Sequence, residues 1–99
     1  MSILWVLMPE YQIQLTAHGV RFRHPPDDEL DLVGHLVDAD PVLLDPIISA
    51  DVRASDVGMT TFVDCPTSAG ADRLAAGAFR RAMAGAGLRV DSVTAVLLG

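Results

Sequence analysis

Residues 51–63 read DVRASDVGMTTFV. Before the middle of this stretch, Val52 and Ala54 alternate with Asp51 and Arg53; after it, Met59, Thr61 and Val63 alternate with Thr60 and Phe62. A period of two on both sides of a turn-like tetrapeptide, here between Ala54 and Met59, predicts an antiparallel hairpin. Extended outward, the pattern turns Ile48, Ala50, Val52 and Ala54 inward and Ser49, Asp51 and Arg53 outward. In the second strand Met59, Thr61, Val63 and Cys65 face in, while Thr60, Phe62 and Asp64 face out. Phe62 breaks the segregation, because a large ring stands on the polar side.

The flanks supply the rest of the fold. Tyr11, Ile13, Leu15 and Ala17 alternate with Gln12, Gln14, Thr16 and His18, the pattern of a half-buried strand. Gly19 interrupts it, and Val20 to Arg23 are expected to continue it past a bulge. His24, Pro25 and Pro26 lead into an acidic start for a helix over 27–38. Leu30, Val33, Gly34, Leu36 and Val37 share one side of that helix, opposite Asp27, Asp28, Asp31, His35 and Asp38. Asp40-Pro41 and Asp45-Pro46 bracket a loop holding Val42, Leu43 and Leu44. After Pro66, Ser68 is the expected N-cap of an Ala-rich helix that stops at Gly87. Its inner face is read as Ala71, Leu74, Ala75, Ala78, Ala82, Gly85 and Ala86, flanked by Phe79 and Met83. A last strand is expected over 90–98. Strand, helix, strand, strand, helix, strand is the α+β, ferredoxin-like βαββαβ order. It predicts a four-stranded antiparallel sheet, order 4-1-3-2, with both helices on one face. Residues 10–99 form one such domain, preceded by an apolar extension over 1–9.

The uncovered face is then expected to carry Gln12, Gln14, Thr16, Ser49, Asp51, Arg53, Thr60, Phe62 and Asp64, with Val96 or Leu98. Near it the apolar segment Ile3–Met8 needs a place. Burying a few hundred Å² of such surface, at about 25 cal/mol per Å², is worth several kcal/mol. The segment is expected to add a strand or to pack across this face, in its own chain or in a dimer partner. Ile3, Trp5, Leu7, Arg53 and Phe62 are the expected interface residues.

Bulk composition narrows the function classes. The 99 residues are 51% hydrophobic and carry a formal charge of −6, with 13 acids, seven arginines and no lysine. An acidic body of this kind repels phosphate backbones and anionic lipid, so neither nucleic acid nor membrane is an expected partner. A single cysteine, Cys65, makes no internal disulfide, which fits a reducing cytoplasm.

The residues that carry chemistry elsewhere are sparse here. His35, with Asp31 four residues before and Asp38 three after, has the spacing of a weak metal pair and reads as a solvated helix face. Asp38, Asp40 and Asp45 are acid-rich but lack the alternating ligands, central glycine and closing glutamate of a calcium loop. Cys65 reads as a small core residue, and the AGAG at 84–87 follows a helix rather than opening one. Arg73, Arg80 and Arg81 form the only basic patch, read as a solvated surface. No catalytic, cofactor-binding or metal-binding residue is assigned, and no cofactor is expected.

Residues 45–87, from DPIISADVRASDVGMTTFVDCP to the Ala-rich helix and its closing glycine, resemble a pattern in small uncharacterised single-domain proteins of high-GC bacteria. The shared succession is an S-A-D strand, a short turn, an alternating strand and an Ala-rich helix. The resemblance implies no activity and no site residues, and the SILWVLM prefix departs from it. Two functions fit the sequence. The first is a non-catalytic module that dimerises or binds a protein partner through the open sheet face. The alternative is a small-molecule enzyme of the dimeric ferredoxin-like kind, a cofactor-free monooxygenase or isomerase, using a cavity with Trp5, His18 or His35.

Overall fold

A computed structural model of the chain describes residues 8–22 and 25–99. Six elements follow one another: β1 (Glu10–His18), α1 (Pro26–Asp38), β2 (Leu44–Asp51), β3 (Asp56–Asp64), α2 (Ser68–Gly85) and β4 (Ser92–Leu97). The strands form one sheet in the order β2-β3-β1-β4, antiparallel throughout. Read from the other edge, this is the expected 4-1-3-2 order of a ferredoxin-like fold.

The hairpin closes earlier than its alternation suggests. The turn is Val52 to Ser55, not the tetrapeptide after Ala54. Asp51 decides this: its carboxylate accepts the Ala54 N–H at 3.2 Å, while Ser55 donates to the Val52 carbonyl at 3.2 Å and takes a left-handed φ of 57°. An aspartate able to bond the turn backbone outweighs two small apolar residues at the tip. Val52 and Ala54 are therefore exposed rather than inward, and Arg53 sits on the turn rather than on a strand face. Gly58, which looked like a turn residue, lies inside β3 opposite Ser49. A Cβ there would come within 2.9 Å of Ser49 Oγ.

Asp45-Pro46, expected in a loop, belongs to β2. The strand absorbs them through a bulge: the four residues Leu44 to Ile47 stand opposite the three from Phe62 to Thr60, and Asp45 adopts φ 47°. Proline is tolerated because β2 is an edge strand. The buried Thr61 hydroxyl donates to the Leu44 carbonyl at 2.9 Å and so holds the bulge in place. β1, by contrast, stops at Gly19, whose φ of 66° and near contact with the Asp91 carboxylate leave no room for a side chain. Past Gly19 the backbone of Arg21 forms an isolated bridge to Arg89 rather than a continued strand; Arg23 and His24 lie outside the described residues.

The helices cover one face. α1 begins on two prolines with Asp27, Asp28 and Glu29 in its first turn, where carboxylates favour the helix dipole. It buries Val33 and Val37, with Leu30 and Leu36 partly covered, and also buries Glu29, which the sequence did not single out. α2 is capped by Thr67 rather than Ser68; the threonine oxygen accepts the Gly70 N–H at 3.1 Å. It ends as expected at Gly87, φ 77°, with Gly87 bonded back to Ala84 and Leu88 to Met83. Leu74 is not on the inner face of α2. It is 44% exposed, while Ala71, Ala75, Ala78, Phe79, Ala82 and Met83 make the contact. Small residues on that face let the helix settle against Ile13, Leu15, Ala17, Val57, Met59 and Val63, all buried. Cys65 and Leu43 join the same core.

Candidate functional site on the uncovered sheet face

Side chains alternate along every strand, so the residues opposite the core form rows across the uncovered face. The register gives four of them. Leu44, Phe62, Gln12 and Leu98 lie side by side, and Ile47, Thr60, Gln14 and Val96 come next. The third row is Ser49, Gly58, Thr16 and Thr94; the fourth is Asp51, Asp56, His18 and Ser92. The face therefore has an apolar half and a polar half. Ile47, Val96 and Leu98 are 68%, 56% and 49% exposed, a level unusual for large apolar side chains clustered on one surface. Phe62 stands among them, half-buried, as its position in the alternation predicted.

The polar half holds a chain of three side chains from three strands. Asp56 Oδ1 lies 3.2 Å from His18 Nδ1, and His18 Nε2 lies 3.0 Å from Thr94 Oγ1. In the neutral tautomer that satisfies both partners, Nδ1–H donates to the carboxylate and the Thr94 hydroxyl donates to Nε2. The imidazole is thus oriented by an acid on one side and in contact with a hydroxyl on the other. It remains partly open to solvent, so a small molecule can reach it. Asp51 stands directly opposite Asp56, a like-charge pair that favours a donor such as His18 on the far side of Asp56.

The sequence missed this chain. The alternation puts His18 on this face but places Asp56 in the turn, where it offers the imidazole no partner. With the turn set at Val52–Ser55, the pairing of Ala17 with Val57 brings His18 beside Asp56. The signal that finds it is the Asp51-x-x-Ala54 turn bond, not the apolar period.

Other expected residues are dispersed. His35 lines a groove of about 380 Å³ between α1 and β2, with Asp31, Asp38, Leu30 and Ile48. A larger concavity of about 870 Å³ opens at the β2 bulge, between Glu10, Asp38, Asp45 and the apolar Leu44, Ile47 and Phe62. Cys65 is buried, as expected. Arg81 pairs with Asp40 at 3.5 Å, so the basic patch on α2 is partly satisfied within the chain; Arg21, outside that patch, pairs with Asp91 at 3.6 Å. Among the described residues no group of three or more His, Cys, Asp or Glu side chains converges on a metal-sized site. No described helix is long and apolar enough to cross a membrane. Of the expected interface residues, Phe62 stands on the uncovered face and Arg53 on the exposed hairpin turn; Ile3, Trp5 and Leu7 lie outside the described residues.

No protein-family model matches the chain, and no curated protein matches it. Among solved structures it is similar to a candidate antibiotic biosynthesis monooxygenase from Chloroflexus aurantiacus J-10-fl, at 16% identity, over 92% of this chain and 94% of that one, with a TM-score of 0.50. At that identity the likeness speaks to the backbone alone, and it agrees with the ferredoxin-like α+β fold read from strand order.

Proposed function

We propose that the chain is a small-molecule enzyme of the dimeric ferredoxin-like kind, with His18 as its proton acceptor. One observation carries the reading: an imidazole on an uncovered sheet face is oriented by Asp56 and bonded through its other nitrogen to Thr94. A base held by a carboxylate at one nitrogen is the usual preparation for taking a proton at the other. Its substrate is a small carbon acid, enol or phenol. Proton loss to Nε2 leaves an electron-rich anion; return of the proton at a different carbon is isomerisation, and capture of the anion by O₂ is the oxygenation alternative. The fold shared with a candidate monooxygenase supports the same class, so the order of the two sequence-based readings reverses.

A second copy of the chain closes the site. The apolar half of the face, Ile47, Phe62, Val96 and Leu98, is the seat for that copy, and the polar half walls the chamber left beside it. Arg53, at the hairpin turn, borders that interface. The same apolar half favours the non-catalytic module as a second reading, in which the dimer forms and His18 has no substrate.

Two measurements in parallel test the enzyme: uptake of solvent deuterium by small 1,3-dicarbonyl and phenolic compounds, and O₂ consumption with the same compounds. The wild type accelerates one or the other, and His18→Ala lowers that rate by roughly 10²-fold or more. Equal rates in the two proteins, with an intact dimer, contradict the enzyme and leave the module.

A further inference from the structure

The geometry points to Thr94 as a nucleophile that accepts an acyl group from a neutral ester. It rests on His18 being the proton acceptor proposed above, and adds a covalent step and a substrate class. The order of atoms is the argument: carboxylate Oδ1 to Nδ1 at 3.2 Å, then Nε2 to hydroxyl Oγ1 at 3.0 Å. A nucleophile, its base and the group that orients the base are within reach of one another, and each stands on a different strand. Asp56, His18 and Thr94 come from β3, β1 and β4, so ladder hydrogen bonds rather than a loop set their spacing.

The atoms balance as follows. Thr94 Oγ1 attacks the acyl carbonyl carbon while its proton passes to His18 Nε2, and Asp56 stabilises the imidazolium. The ester C–O bond breaks and the leaving alcohol takes that proton. Water then attacks acyl-Thr94, loses a proton to Nε2, and Thr94 recovers it as the carboxylic acid departs. Thr16, directly across the ladder from Thr94, brings the nearest hydroxyl by register for the carbonyl oxygen to meet. The choice of ester follows from charge. Asp51 and Asp56 share the row of His18, and the chain carries −6 overall. Neutral aryl or alkyl esters approach this corner, while phosphate-bearing thioesters are repelled.

The test uses p-nitrophenyl acetate with the full chain, reading p-nitrophenol release together with intact mass and peptide mapping. Circular dichroism checks that each variant is folded. The wild type gains one acetyl group at Thr94; Thr94→Ser keeps the adduct at the same position; Thr94→Ala loses the adduct and its burst. His18→Ala loses both adduct and turnover. If Thr94→Ala releases p-nitrophenol as fast as the wild type and no acetyl maps to Thr94, while His18→Ala is inactive, His18 acts on water directly. That result overturns the nucleophile and leaves the base standing. Acetyl found on His18 itself likewise overturns it. If folded His18→Ala matches the wild type, the base and the nucleophile fall together.

Discussion

The two faces of this sheet are built from alternate residues of the same strands, yet they do different things. Toward the helices, Ile13, Leu15, Val57, Met59 and Val63 are at most 1% exposed and close against Phe79 and the alanines of α2. On the other face, Gln12, Gln14, Thr16 and His18 occupy the intervening positions of β1, and apolar residues appear only toward one end. The first face is about stability. On the second, five apolar side chains, Leu44, Ile47, Phe62, Val96 and Leu98, gather at one end and the bonded imidazole at the other, a division that packing within one chain does not require. The lesson is that the residue out of pattern, Phe62, marks the apolar end of the uncovered face, where the proposed second copy would sit.

Each face of the sheet can be perturbed separately. Phe79→Ala deletes the largest fully buried side chain among the described residues and is expected to cost about 3–5 kcal/mol, seen as a lower urea midpoint. If it costs no more than Phe62→Ala, the assignment of the two faces is mistaken. The paired change Ile47→Asp with Val96→Asp places charge in the apolar half. It is expected to weaken self-association at least about tenfold, a loss of roughly 1.4 kcal/mol, while leaving the far-UV spectrum unchanged. Sedimentation equilibrium reads it, and a wild type that is monomeric at high micromolar concentration removes the dimer from the account.

Smaller effects sharpen the same contrast. Thr67→Ala strips the cap from the helix that covers the core face, and about 1 kcal/mol of stability should go with it. Differential scanning calorimetry checks that value, and an unchanged melting temperature means the cap bond carries no stability. Gly58→Ala, on the uncovered face, brings a Cβ within 2.9 Å of the movable Ser49 hydroxyl and into ordinary contact with the Leu15 and Ser49 carbonyls at 3.7 and 3.8 Å. Its effect should stay within about 1 kcal/mol, and adding Ser49→Ala should bring out the gain from replacing a strand glycine. A large loss would show that the close approach of β2 to β3 at that row is rigid.

Much of this architecture was legible because burial writes a period into sequence. Met59, Thr61, Val63 and Cys65 could be assigned to the core, and Phe62 to the opposite side, without any contact being known. Register was harder. It turns on where a hairpin closes, and here a carboxylate bond from Asp51 to the turn backbone overrode the apolar alternation. That moved Asp56 from a turn into β3 and set it beside His18. The three residues of the polar chain lie at positions 18, 56 and 94, so only correct pairing of three strands brings them together. The Leu74 error has a similar origin: an 18-residue helix on a narrow sheet uses its alanine stripe, and a leucine one position off that stripe is left at the margin.

In the proposed enzyme His18 is an oriented base, and nitrogen-detected NMR reads the state of its imidazole. Neutral His18 should carry its proton on Nδ1, with Nε2 showing the shift of an unprotonated, hydrogen-bonded nitrogen, and Asp56→Asn should redistribute the proton toward Nε2. A ring that carries its proton on Nε2 in the wild type, or that exchanges between tautomers identically with and without Asp56, would contradict the account.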